Sequence, residues 1–474
     1  MRLLFQLMNR VWLFLALVAL GAACNKDKFL DKKPTTTLLI PSTLSDFQAL
    51  LDNVKVFTLV PTLGEASADN YYVSYKAWQV MTTREYNAYV WAKDIYGAQA
   101  GQQDWDVPYQ QVFYANVVLD GLKNIKMSAD SMSQWNALEG AALFCRAFAF
   151  YNLAQLFAPV YDSTTAGSDL GIPLRTTPSI DTLSARSSVE ATYRQILNDL
   201  HEAEGHLPGG VPGAALNRPV VCCAQALLAR VYLSMRKYSL AKACADSALQ
   251  TYSLLMDYND LAKNTPVPIS QFNIETIYQA SLLGAPSLTT YFSVISALYP
   301  TTWIDTGLLR SYDTSDLRLS IFYRTRNDTM YYLRGSYAGS LYPFGGLAVD
   351  ELLLISAEGA AKAGDAGTAM KNINTLLSKR WRKGSFTGYP VGSAAAALDT
   401  VRLERRKELA FRGLRWTDLR RLNKEGANIT LMRILPGPTD TIKATLAPNS
   451  FNYTLPIPPD VLSLNKAIQQ NPRN

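Results

Sequence analysis

Apolar residues recur along most of this chain with the three-to-four spacing of helices. Residues 137–157 (ALEGAALFCRAFAFYNLAQLF) are apolar nearly all round, which predicts a buried helix stopped by Pro159. Residues 188–206 place Val189, Tyr193, Ile196, Leu197 and Leu200 on one face, behind a Ser187 or Ser188 N-cap. Two stretches align at a single offset: LARVYLSMRKYSLAKACADSAL (228–249) and SAEGAAKAGDAGTAMKNINTLL (356–377). Ala229 then matches Ala357, Ala241 matches Ala369, and Leu249 matches Leu377. Small residues at such positions let two helices of a hairpin approach closely, and Gly364 followed by Asp365 reads as one helix end and the next helix start. The pattern is that of a degenerate tetratricopeptide hairpin. The predicted class is all-α: a tetratricopeptide-like hairpin scaffold with irregular, loop-rich insertions. Strand patterns are short, as in Ile274–Ala280, and predict only small sheets or hairpins.

Two regions break the helical pattern. The N-terminus carries Arg2 and Arg10, then an uncharged apolar run over residues 11–23 (VWLFLALVALGAA), directly before Cys24. That run is shorter than the roughly 20 residues needed to span a bilayer. It predicts a cleaved export signal over 1–23, with Cys24 receiving the lipid of a lipoprotein, although Leu20 stands four residues before the cysteine rather than three. A polar tether follows over 24–36. The second break, from about 260 to 345, holds Pro266, Pro268, Pro286, Pro300 and Pro343 among many Ser, Thr and Gly. A long irregular segment rich in aromatic residues predicts a functional insertion. The expected organisation is a helical region at 37–265 and a second at 266–474 that completes one shared globule.

Composition sharpens this picture through its aromatic residues. The 474 residues include 26 Tyr and 8 Trp. Eleven of these lie in residues 71–114 and nine in 291–344, where an even spread would place about seven in total. Tyr109, Phe113 and Tyr114 fit helix packing. The others fall among Asp, Asn, Gln, Ser, Thr and Gly, and rings beside hydrogen-bonding side chains suit a sugar, whose C–H face stacks while its hydroxyls take polar partners. Trp78, Trp91, Tyr299 and Trp303 are the candidate stacking residues, with Asp69 and Asn70 as polar contacts. A peptide would also suit such a surface.

Charge adds little. The formal +7 falls to +5 once Arg2 and Arg10 leave with the signal, and no concentrated basic stripe points to nucleic acid. Residues 402–421 hold eight basic and three acidic residues, but Leu403, Leu409, Phe411, Leu414, Trp416 and Leu419 interleave with them. That predicts a structural helix with buried ion pairs, Glu408 to Arg412 among them as an i, i+4 pair. No zincin, nucleophile-elbow, P-loop or dinucleotide motif is present. The two His residues, His201 and His206, are expected on a solvated helix end, so no metal or other cofactor is predicted. Cys145, Cys222, Cys223 and Cys244 read as buried small hydrophobes. A glycosidase carboxylate pair cannot be picked out among 39 acids.

A series of stretches runs in order through the chain: FLDKKPTTTL after Cys24, LEGAALFCRAFAFYNLAQLFAPV, LGIPLRTTP, RSSVEATYRQILNDLHEAEGHLP and AQALLARVYLSMRKYSLAKACADSAL. It continues in LLLISAEGAAKAGD, ERRKELAFRGLRWTDLRRL and the closing LPIPPDVLSLNKAIQQNP. In these stretches and their order the chain resembles the SusD/RagB family, the surface nutrient-binding lipoproteins of Bacteroidetes. The resemblance implies four tetratricopeptide-like hairpins and a non-catalytic glycan-binding lipoprotein of the outer membrane. Its implied partner is a TonB-dependent, SusC-like transporter, to which it delivers oligosaccharides. It also implies ligand contacts from an early and a middle segment, where the two aromatic clusters lie. Surface exposure is expected, although Asn25-Lys26-Asp27-Lys28 is only weakly acidic. A peptide-binding uptake protein, a glycoside hydrolase and a transporter lid with little ligand affinity are the alternatives.

Overall fold

The computed structural model describes residues 41–474 apart from 98, 180, 283–301, 328, 329, 335, 336, 338 and 341. The predicted leader, Cys24 with its tether, and Tyr299 therefore lie outside the described residues. A capping box opens the first helix, with Thr43 and Asp46 each accepting the other's backbone N–H. Short elements follow: α1 (Leu44–Leu51), α2 (Val54–Phe57), β1 (Leu59–Val60), α3 (Leu63–Ser67), β2 (Tyr71–Val73), α4 (Tyr75–Gln79) and α5 (Thr83–Tyr89).

The scaffold begins with α6 (Gln103–Leu122) and α7 (Met132–Phe157). The latter contains the predicted 137–157 segment and is buried on nearly every side over its last five turns, as an apolar run without a polar face requires. It ends at Ala158, before Pro159. The strands β3 (Leu170–Pro173) and β4 (Arg186–Ser188) pair beside it, and α8 (Val189–His206) starts where the Ser188 hydroxyl accepts the Ala191 N–H. The aligned hairpins are α9 (Val221–Ser234) with α10 (Tyr238–Thr251), and, further on, α13 (Val349–Lys362) with α14 (Ala366–Leu377).

Between those hairpins lie β5 (Thr276–Tyr278), β6 (Ser281–Leu282), β7 (Thr302–Ile304), α11 (Thr306–Arg310), α12 (Arg318–Phe322), β8 (Tyr323–Asn327), β9 (Met330–Leu333) and β10 (Leu347–Ala348). The chain closes with α15 (Ala394–Glu408), α16 (Arg415–Lys424), β11 (Leu431–Pro436), β12 (Thr441–Leu446) and α17 (Pro459–Leu464). The helices pack as a row, α6 on α7, α7 on α8, α8 on α9, α9 on α10 and α10 on α13, with α14 and α15 against α13. Ala229, Ala357, Ala241 and Ala369 are all fully buried at the hairpin contacts, and a Cβ on Gly359 would come within 2.7 Å of the Lys242 Cβ. The absence of a side chain there is what lets α10 lie on α13. The fold is thus the tetratricopeptide-like helical scaffold, and its described strands form six two-stranded ladders.

The basic segment 402–421 departs from a single helix. It breaks after Glu408 into a turn where Phe411 (φ 59°) and Gly413 (φ 72°) take left-handed conformations, and α16 resumes at Arg415. The expected Glu408–Arg412 pair is therefore not made. Glu408 accepts from Arg318 at 3.0 Å and Arg380 at 2.7 Å, while Arg412 reaches Asp350 at 2.8 Å. The expected buried ion pairs do form, and on a larger scale. Arg318 joins Asp316, Glu404 and Glu408, with Lys407 bridging Glu404 and Asp316, and Arg380 joins Glu275 and Glu408. A neighbouring set links Arg405 and Arg421 through Asp418, and Arg421 to Glu358. The four cysteines among the described residues are free thiols.

The buried Glu65 carboxyl stands outside this pairing. Glu65 in α3 accepts from the Asn70 side-chain amide at 2.9 Å and from the Gly413 N–H at 3.0 Å. Burial pushes it up to about 7, against the opposing pull of those hydrogen bonds. Folding therefore favours its protonated form. The stabilisation is complete below the ordinary value of 4.5 and disappears as pH rises through 7. Between pH 5 and 8 the unfolding free energy of the wild type should fall relative to Glu65→Gln by up to about 3 kcal/mol, read from urea titrations at each pH. Arg318→Met, which takes one cationic partner from each of Asp316, Glu404 and Glu408, should lose about 3–5 kcal/mol in the same assay at pH 7.

Candidate functional site

The two aromatic segments meet because β2 and β7 pair antiparallel. Tyr71 lies opposite Ile304, Tyr72 opposite Trp303 and Val73 opposite Thr302, and the Asp305 N–H extends the ladder to the Asn70 carbonyl at 2.9 Å. Both strands are short, so position along them is fixed by the anchors at their ends. Asp69 is clamped by Arg415, which donates from Nε at 2.7 Å and from Nη2 at 2.9 Å, and by Arg406 at 3.3 Å. Burial alone would raise the Asp69 carboxyl, but the Arg415 guanidinium outweighs it and holds the group well below the usual carboxylate range. Arg406 also reaches Asp305 at 3.2 Å, tying the start of α11 to the same cluster.

A second support comes from the closing hairpin β11–β12. The burial pattern of β11 alternates, as one covered face demands, and Arg433 points inward. Its guanidinium lies over the rings of Tyr89 (4.2 Å), Trp91 (5.2 Å) and Tyr71 (5.4 Å) and donates to the carbonyls of Ala68, Tyr71 and Tyr89. Trp91 adopts φ 55° and donates its indole N–H to the Ser67 carbonyl at 2.9 Å.

The candidate residues therefore sit in one neighbourhood but in different roles. Trp78 is 6% exposed, with its ring 4.3 Å from Tyr86 and 5.8 Å from Tyr75, and its N–H donated to the Tyr86 carbonyl. Trp91 and Trp303 are 4% and 6% exposed, and Asn70 is fully buried against Glu65. These rings and amides are packed as support, whereas Tyr72, Tyr75 and Tyr86 are half-buried and Ser74 and Lys76 exposed. Asp305 and Arg406 add a partly exposed acid–base pair beside Tyr72, whose phenol is raised by burial and by the Asp305 charge. Sequence reading did not single out Asp305 or Arg406. Asp305 is an N-cap, accepting the Leu308 N–H, and its place three residues before an apolar Leu308–Leu309 pair was the available signal.

Two other features of the surface are accounted for by packing. A cleft of about 530 Å³ lies between α6 and α17, but Trp105 packs edge-on against Phe157 and the Tyr109 hydroxyl is committed to the Pro173 carbonyl. His206 is not on a freely solvated helix end as expected. Its Nδ1 lies 3.1 Å from Glu139, with Trp135 edge-on to the ring, because α7 and α8 run side by side. Glu139, Glu202 and His206 are the one group among the described residues with ligand atoms close enough to share a metal ion. Glu202 and His206 stand one turn apart on α8, and the packing of α7 along α8 brings Glu139 to them.

Comparisons with known proteins agree with this architecture. Residues 28–233 match a family model described as starch-binding associating with outer membrane, and residues 349–473 match the SusD family model. A SusD-like protein P2 of Formosa agariphila is 25% identical over 416 residues, covering 74% of this chain and 80% of that protein. The crystal structure of a SusD superfamily protein from Bacteroides thetaiotaomicron superposes with a TM-score of 0.71 at 21% identity, over 91% of this chain and 100% of that one. A SusD-like carbohydrate binding protein from Bacteroides vulgatus gives 0.68 at 19% identity, over 91% and 98%. The two family models match opposite ends of one helical scaffold, in the order that the sequence motifs run, and the chain belongs to the SusD/RagB family.

Proposed function

We propose that this protein binds an oligosaccharide without chemically altering it and passes it to a TonB-dependent, SusC-like transporter of the outer membrane. The observation that carries the reading is the β2–β7 ladder, which pairs Tyr72 with the buried Trp303 some 230 residues away and sets half-exposed tyrosines beside hydroxyl, carboxylate and guanidinium groups. Half-exposed Tyr72, Tyr75 and Tyr86 offer flat apolar faces with polar edges, the chemistry that holds a sugar ring. Trp78, Trp91 and Trp303 shape that surface from beneath, Asp69 and Asn70 fix its register, and Tyr299 is assigned a direct stacking role. The family's starch-binding description and the carbohydrate-binding relative support a glycan over a peptide. Lipid on Cys24 would hold the protein at the membrane surface.

Isothermal titration against a glycan panel should find a ligand whose affinity falls at least tenfold in Tyr72→Ala and in Trp303→Ala, with helical circular dichroism retained. Binding of peptides but of no glycan would overturn the assignment, and turnover of a bound glycan would place the protein among the hydrolases instead. Cys24→Ser should move the protein from the detergent-soluble membrane fraction to the aqueous fraction. Retention of the variant in the membrane would refute lipid anchoring.

A further inference from the structure

Against the β8–β9 hairpin lies an open cleft of about 580 Å³. Its lining includes four cationic side chains, Lys263, Arg324, Arg334 and Arg382. None of the four has a carboxylate within 4 Å among the described residues. The contrast with the interior is sharp, because Arg318, Arg380, Arg412 and Arg421 each face at least one carboxylate. The acid that does line the cleft, Asp316, is already bound to Arg318 at 2.7 Å and to Lys407 at 3.3 Å. It cannot neutralise the four.

Arg334 shows how the cleft is built. Only 5% of it is exposed, yet its guanidinium is held by carbonyls alone: Ser320 at 2.7 Å, Lys263 and Thr265. Its Nε is buried without a hydrogen-bond partner among the described residues. Arg324 donates to the same Thr265 carbonyl at 3.2 Å, so two guanidiniums share one acceptor. Burial, and after it the Arg324 charge, lowers the Arg334 pKa, the mark of a cation lacking its counter-charge. Leaving a buried donor unpaired is costly, and such a set of donors is suited to an anion. The half-buried Tyr331 adds a ring to the same wall, while Ser320 and Thr325 add hydroxyls. The hairpin that forms this wall packs through β9 onto β7, the strand that carries Trp303.

We propose that this cleft binds the anionic groups, carboxylate or sulfate ester, of an acidic oligosaccharide whose neighbouring sugar units lie on the β2–β7 surface. The inference rests on the glycan-binding reading above and narrows its substrate class. A carboxylate or a sulfate would accept from Arg334 and Arg324 within the cleft, with the exposed Lys263 and Arg382 at its rim adding charge that salt screens.

The test uses the full mature chain and three sets of probes at 50 mM and 300 mM NaCl. Oligogalacturonides and alginate oligosaccharides carry carboxylates, chondroitin sulfate and carrageenan oligosaccharides carry sulfate esters, and malto- and laminari-oligosaccharides are neutral. At least one acidic probe should bind tenfold or more tightly than its carboxyl-reduced or desulfated counterpart, and lose most of that advantage at the higher salt. The double variant Lys263→Gln/Arg382→Gln changes two exposed side chains and should keep the wild-type melting temperature while reducing the acidic probe's affinity at least fivefold. Which acidic set responds identifies carboxylate or sulfate as the recognised group. Neutral glycans binding while every acidic probe binds no better than its neutralised form would overturn this proposal and leave the glycan reading standing. An acidic probe unaffected by the double variant would also overturn it. No binding by any glycan would overturn both.

Discussion

The buried guanidinium–carboxylate network around α15 and α16 is the constraint on which the rest of the structure depends. Its members come from distant parts of the chain: Asp69 from the early segment, Glu275 and Asp316 from the middle, Asp350 and Glu358 from α13, and the arginines chiefly from 402–421. Desolvating so many charges is tolerable only if each meets its partner at short range. The network therefore contributes specificity of arrangement more than net stability. A helical row can slide or twist by small amounts at little cost in apolar contact, whereas a bidentate arginine pair cannot. The network thereby fixes how the irregular segments seat on the scaffold.

The surface proposed to face the ligand inherits its geometry from that seating. β2 and β7 are three residues each, too short to set their own register by apolar alternation. Asp69 and Asp305 flank them and both bind Arg406, and Arg433 fills the space beneath with a cation ringed by Tyr71, Tyr89 and Trp91. Polar groups that would be contacts on an open platform are consumed in supporting it. What remains available is the outer layer of half-buried tyrosines.

The scaffold was legible in the sequence because helix periodicity is local. The all-round apolar 137–157, the Ser188 cap, the Gly364-Asp365 junction and the matched alanines of the two hairpins each follow from neighbours a few residues away. Family resemblance supplied the order of the pieces. The fine structure of the site was less legible, because an indole in a loop-like sequence has no local mark saying which face is covered. Trp78 and Trp91 are buried by Tyr86 and by Arg433, the latter more than 340 residues distant. The break in 402–421 was likewise hidden: Phe411 is left-handed because Glu408 and Arg412 answer to different distant partners, Arg380 and Asp350, and a continuous helix would hold them on one face.

The span of the contacts has a consequence for how the chain acquires its structure. Asp69 waits for Arg415, the Ala68 carbonyl for Arg433, Tyr96 for the Pro456 carbonyl, and the Ala92 carbonyl for Arg473. Made from the N-terminus onward, the early segment has no finished core until the last residues arrive, and contacts of such long range make folding slow. A polypeptide that cannot close on itself early remains threadable for the whole of its synthesis. That is the state in which a chain can pass lengthwise through a translocation channel, and under the export proposed for this protein the delay would protect the journey.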